Sequence, residues 1–201
     1  HGIHSLLWIL DSWLENRKQM IELQSIKGSF LKPIKVGEEV SLSWKSVDKN
    51  HVKIELLSNR TILTEIEFEW KELEKQKFKF FENRFPKKLQ PCIVSEDEIE
   101  DKSGNLDLLL KIEAATNMFP NLLGHFSPLQ ISIILCTTRL VGTECPGLHS
   151  IYSKISLLSG NFNKCSTLKY EVTKLDKRFG LVYMKFTAPG VTGFIETFLR
   201  P

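Results

Sequence analysis

The chain has 201 residues, 42% of them hydrophobic, which is enough for one large domain or two small ones with a packed core. Its 27 Lys/Arg against 24 Asp/Glu leave a net charge of only +3 with the two signs interspersed, an argument against a nucleic-acid footprint. No apolar run has the length of a membrane span and no signal-peptide arrangement is present. Cys92, Cys136, Cys145 and Cys165 stand 44, 9 and 20 residues apart, which fits neither a CxxC metal site nor a dense disulfide framework, so a reducing compartment, the cytoplasm, is expected.

In chain order, Leu6, Leu7, Leu10, Trp13 and Leu14 recur at helical spacing and predict a mostly buried helix from Gly2 to about Arg17. Residues 18–28 are mixed. Phe30 to Gly37 reads as a strand with Pro33 at an edge position and Gly37 at a reversal. Val40, Leu42 and Trp44, then Val52, Ile54 and Leu56, then Ile62 to Trp70 alternate as three antiparallel strands. Residues 71–92 hold seven Lys/Arg against three Glu and read as a solvated connector, with a basic patch for an acidic carrier protein as the functional alternative.

After the acidic stretch Ser95 to Asp101, Leu106 to Ile112 predicts a strand, and Ser127 to Leu140 a second helix with Ser127 as N-cap and Pro128 at the first helical position, closed by Gly142. Pro146 to Leu158, Leu168–Val172, Gly180–Thr187 and Gly193–Leu199 predict four more strands. The two parts match: Asp48-Lys49 and Asp176-Lys177 stand 128 residues apart, and the helix starts near His1 and His125 stand 124 apart. A duplicated unit with small loop changes gives such a drift. Each copy is then a helix followed by about four antiparallel strands, the helix too apolar for one-sided burial and therefore wrapped by its sheet. The expected division is residues 1–70 as a first copy lacking its opening strand, 71–94 as connector and 95–201 as the second copy. Because the chain opens at His1 on a helix start, it is expected to be a fragment or a processed product.

His1-Gly2-Ile3-His4 followed by Phe30-Leu31-Lys32-Pro33-Ile34-Lys35-Val36-Gly37-Glu38-Glu39-Val40, and Arg139-Leu140-Val141-Gly142 followed by Pro146-Gly147-Leu148-His149-Ser150, resemble the MaoC-like acyl dehydratases and enoyl-thioester hydratases. The resemblance implies an α+β double hot-dog, two antiparallel sheets each wrapped around a central helix. It also implies a hydro-lyase acting on a thioester of CoA or acyl-carrier protein, with no cofactor or metal, no nucleic-acid or membrane partner, and a homodimer of double hot-dogs. In that family the amides of a helix N-terminus polarise the thioester carbonyl, where negative charge develops, while an Asp/His pair moves the proton.

The family loop Asp-x-Asn-Pro-x-His falls on Asn117, Phe119 and Leu122 if Pro120 takes the proline position, and none of these transfers a proton. The second copy is therefore expected to be silent, and the dyad-bearing loop of the first copy would precede His1. The acid/base candidates are His1, Asp11 and His125, and Gly2, Ile3, His4, Pro146 and Gly147 are expected to bind substrate. Glycine at a helix start lets a ligand approach the backbone. Two alternatives stand beside this reading: a non-catalytic acyl-binding or dimerising module, and a hot-dog thioesterase in which Asp11 activates water.

Overall fold

The computed structural model describes residues 2–74, 83–87, 90–160 and 167–200. The apolar residues of the first helix, α1 (Gly2–Leu14), are spaced so that they cover nearly all of its circumference. Ile3, Leu6, Leu7, Ile9, Leu10 and Leu14 are fully buried, and His4 and Trp8 mark the narrow exposed stripe. Such a helix cannot lie on a surface. It packs against a later strand (Thr61–Leu73) and against two later helices (Leu122–His125 and Pro128–Arg139).

Four strands follow: β1 (Met20–Phe30), β2 (Ser41–Asp48), β3 (His51–Ser58) and β4 (Thr61–Leu73). Three short elements lead to the second long helix. These are α2 (Glu96–Ile99), the strand β5 (Ser103–Asp107) and α3 (Ile112–Met118), after which come α4 (Leu122–His125) and α5 (Pro128–Arg139). Ser127 caps α5 by accepting the Leu129 N–H at 3.3 Å, and Pro128 occupies the first turn, where its missing N–H costs nothing. The last strands are β6 (Ser150–Ser159), β7 (Thr167–Asp176), β8 (Leu181–Ala188) and β9 (Val191–Leu199).

The nine strands among the described residues form one antiparallel sheet in the order β2-β3-β4-β1-β6-β9-β8-β7-β5. Read outward from the β1/β6 seam, the neighbours are β4, β3, β2 on one side and β9, β8, β7 on the other, so the two helix-plus-four-strand parts are arranged as mates about that seam. The seam itself runs from Ser25 opposite Leu158 to Ser29 opposite Lys154. Its inner face is tight at Gly28, where a Cβ would lie 3.0 Å from the Leu6 Cδ1 and 3.1 Å from the Ile155 Cγ2.

Several boundaries differ from the sequence expectation. Residues 18–28, mixed in sequence and given no element there, mostly form β1. A β-bulge between Leu23 and Ser25 breaks the register with β4, so the buried positions run Ile21, Leu23, Ile26, Gly28 and the period of two is hidden. The strand expected over Phe30 to Gly37 is instead the exposed loop that follows β1, with Gly37 at a positive φ of 79°. The strand expected over Leu106 to Ile112 lies at Ser103–Asp107, and Ile112 opens α3. Leu108, Leu109 and Leu110 are all buried, so this apolar run reports burial rather than pairing. Gly142 does not close α5. It lies inside a π-helical turn (Leu140–Glu144), and Pro146 and Gly147 precede β6 rather than open it. The basic connector falls partly, at residues 75–82 and 88–89, outside the described residues, as do His1 and Cys165.

Candidate functional site

The pairing of β1 with β6 brings the first turn of α1 against the end of β1 and the start of β6. A cavity of about 420 Å³ opens there, lined by Phe30, Leu31, Pro33 and Ile34 after β1, by Ile151 and Tyr152 of β6, and by Phe198 of β9. Its polar groups include the Ser5, Thr64, Ser150 and Ser153 hydroxyls, and Lys32 and Arg200 also line it. Gly2 belongs to the wall, and here glycine is a steric requirement: a Cβ would come within 2.7 Å of the Phe30 ring. Phe30 in turn meets Tyr152 edge-on with ring centroids 5.5 Å apart.

The Ser5 hydroxyl, buried, donates to the Gly2 carbonyl at 2.8 Å and lies 3.5 Å from the Thr64 hydroxyl. No acidic residue occupies the first turn of α1, so its free N–H groups carry the positive end of the helix dipole toward the cavity unopposed from within the helix. The Tyr152 hydroxyl is buried, and this burial, only partly offset by the nearby Thr137 hydroxyl, pushes its acidity well below that of an ordinary phenol, keeping it neutral.

The mate of this site, at the start of α5 and the opposite end of the seam, is filled. Gln130, buried in the first turn of α5, reaches the β1 bulge: its Oε1 accepts the Leu23 N–H at 3.3 Å, and its Nε2 donates to the Leu23 carbonyl at 2.9 Å. Ser159 adds a bond to that carbonyl at 2.6 Å. Leu23 pairs with Trp70 of β4 but lies beyond the end of the β1–β6 ladder, which begins at Ser25 opposite Leu158, and the amide of Gln130 supplies the partners that β6 does not.

Of the residues expected from sequence, Gly2 alone of the substrate-binding set lines the open cavity. Ile3 is buried in the core, and His4 is exposed beside Phe119, ring centroids 5.5 Å apart. Pro146 and Gly147 form a tight turn against the connector. The Gly147 φ is 90°, a Cβ there would lie 2.1 Å from the Cys92 carbonyl oxygen, and that carbonyl accepts the Leu148 N–H at 3.0 Å.

Asp11 is on the buried face of α1, where its Oδ1 accepts the backbone N–H groups of Asn121 at 2.8 Å and Leu122 at 2.9 Å. Its Oδ2 accepts the Asn121 Nδ2 at 3.3 Å, so the carboxylate satisfies the first amides of α4 as a cap does. His125 closes the same junction, its Nδ1 2.7 Å from the Asn121 carbonyl oxygen and its Nε2 2.9 Å from that of Arg17. Both residues join α1 to α4, and neither lines the open cavity. None of Ser5, Thr64, Phe30 and Tyr152 was expected from sequence as a site residue. Each is an ordinary core or strand residue until the seam places β4 and β6 beside α1.

No protein-family model and no curated protein matches the chain. Solved structures do. An acyl-CoA thioesterase II, TesB2 from Mycobacterium marinum, superposes with a TM-score of 0.55 at 11% identity, covering 99% of this chain and 88% of that one. HtdX from Mycobacterium tuberculosis gives 0.55 at 11% identity over 96% and 86% of the two chains. A conserved protein of unknown function with a hot dog fold, from Alicyclobacillus acidocaldarius, gives 0.52 at 10% identity over 100% and 87%. At these identities the likeness is one of architecture, and the architecture is the hot-dog fold.

Proposed function

We propose that the chain is a double hot-dog protein, residues 1–70 and 95–201 forming its two copies, that binds an acyl thioester of CoA or of a carrier protein at the start of α1. The observation that carries this reading is the asymmetry between mates: one helix start faces an apolar cavity of about 420 Å³, whereas the other is filled by Gln130. In the open site the thioester carbonyl points at the first N–H groups of α1, the acyl chain follows Phe30, Ile34, Tyr152 and Phe198, and the Lys32 and Arg200 cations meet the phosphates of the carrier arm.

The chemistry such a site supports is of the dehydratase/hydratase type. Water adds across the double bond next to the thioester carbonyl, hydroxyl to C3 and hydrogen to C2, or leaves in reverse. The enolate-like charge that develops on the carbonyl oxygen is met by helix amides already oriented toward it. The proton-transfer groups are what this chain lacks in its second copy. Phe119 and Leu122 are buried apolar side chains, and Asn117 is on α3. His1, next to Gly2, remains the acid/base candidate of the open site and lies outside the described residues. The thioesterase alternative needs a carboxylate to activate water. Asp11, its candidate, is committed to the amides of α4, which favours the hydratase reading.

Titrating a non-hydrolysable acyl-CoA analogue while following crotonyl-CoA absorbance tests this. Binding should saturate, Ser5→Phe should abolish it by filling the cavity, and hydration should run about 10²–10⁴-fold below that of an enzyme with a complete acid/base pair. Binding unaffected by Ser5→Phe in a folded variant would place the ligand elsewhere. Release of free thiol without loss of the double bond would replace the hydratase reading by the thioesterase one.

A further inference from the structure

The inner end of the open cavity is closed by one ring. Phe30 ends β1 opposite Thr64 of β4, and the chain beyond it is drawn toward β4, where the Leu31 and Lys32 N–H groups donate to the Leu63 carbonyl at 2.9 and 3.1 Å. The Phe30 side chain stays behind, under the start of α1. A Cβ at Gly2 would lie 2.7 Å from its ring, one at Gly28 would lie 3.7 Å from its Cζ, and Tyr152 meets it edge-on. Beyond the ring stand Leu6 and Ile155, both buried, which close on the same Gly28 position.

Tyr152 continues this wall toward the second long helix. Its buried hydroxyl stands beside that of Thr137 on α5, which is itself buried and donates to the Ile134 carbonyl at 2.6 Å. The two rings thus divide the cavity from the packed core between α1 and α5, and the face they offer it is apolar. Both positions that flank the Phe30 ring are glycines. If the ring were removed, neither could fill the hollow, and a core that loses a large side chain relaxes only in part.

We propose that Phe30, backed by Tyr152, sets the acyl length this site accepts and restricts it to short chains of the size of butyryl or crotonyl; the assignment rests on the acyl-thioester reading given above. The cavity of about 420 Å³ is near the lower end of the range of ligand pockets, about 300–1,000 Å³, and the thiol end of the carrier arm shares it with the acyl group. A methylene that meets an apolar wall gains about fourfold in affinity. One that meets the Phe30 ring gains nothing, because the ring is held by its neighbours and displacing it overpacks the core behind it.

The test is to titrate the whole chain with non-hydrolysable analogues of acetyl-, butyryl- and octanoyl-CoA. Affinity should rise about tenfold from acetyl to butyryl and then stay level or fall at octanoyl. In Phe30→Ala the ratio of octanoyl to butyryl affinity should rise by about tenfold or more, as the chain enters the hollow between the two glycines. Phe30→Leu, the milder change should the alanine variant not fold, should raise that ratio by about threefold. An octanoyl analogue that binds the unaltered chain about a hundredfold tighter than butyryl, or a ratio that the folded variants leave unchanged, would overturn the role of Phe30 while leaving the acyl site in place. Failure of all three analogues to bind the unaltered chain would remove the site itself, and the role of Phe30 with it.

Discussion

At position 130 a helix side chain completes the backbone of a distant strand. The Leu23 N–H and carbonyl, which lie beyond the end of the β1–β6 ladder, have the Gln130 amide as partner. Replacing Gln130 by Ala should cost about 1–3 kcal/mol, the penalty for stranding buried polar groups, read as a lower urea midpoint with unchanged slope. Asp11 has the same kind of role at the start of α4. Asp11→Ala should destabilise by a similar amount while leaving acyl-analogue affinity within about twofold, and a much larger loss of affinity at unchanged stability would return Asp11 to the site. Neither role was legible in the sequence. A glutamine and an aspartate on apolar helices look like polar-face residues, and their partners, Leu23 and Asn121, are more than a hundred residues away along the chain.

Among the elements, those whose side chains alternate were readable: β3, β8 and β9 follow the period of two along one buried face, and β4 does so from Thr64 to Trp70. β1 was not, since its bulge moves the buried set from odd to even positions midway. Gly2 was legible as a backbone approach at a helix start, but the wall it faces was not, because Phe30 was read into a strand continuing past it. Close approach also governs β9. At Gly193, opposite Leu157, a Cβ would lie 2.3 Å from the Ser156 carbonyl oxygen and 2.4 Å from the Phe186 ring. Gly193→Ala should therefore cost about 1–3 kcal/mol through overpacking, against a few tenths for an alanine in open strand surface, and thermal unfolding of the two variants separates these outcomes.

For the molecule as a whole, burial raises four acids. The Cys136 thiol is pushed up to about 12 and the Cys145 thiol to about 11, the Tyr170 phenol to about 12, and the Tyr152 phenol higher still. Each folded value exceeds the unfolded one, so the associated stability is complete below about pH 9, the ordinary thiol value, and is lost as pH rises toward 11 and 12. Denaturation midpoints should fall steadily over that window, and a flat profile there would contradict the burial of these groups. By the same logic an alkylating reagent at neutral pH should modify exposed Cys92 first, while Cys136 and Cys145 react only on unfolding. One further consequence lies in β1 itself. It is a single rod of 11 residues, roughly 36 Å long at the rise of a strand, gripped by the second long helix at Leu23 and ending in the ring of Phe30 that walls the open cavity. Position along the rod is set at one end and read at the other. A change that removes the bulge while Leu23 stays held would slip the rest of the strand by one residue and turn Phe30 to the far face of the sheet, removing the wall without touching it, so the shape of the cavity depends on a glutamine in the other half of the chain.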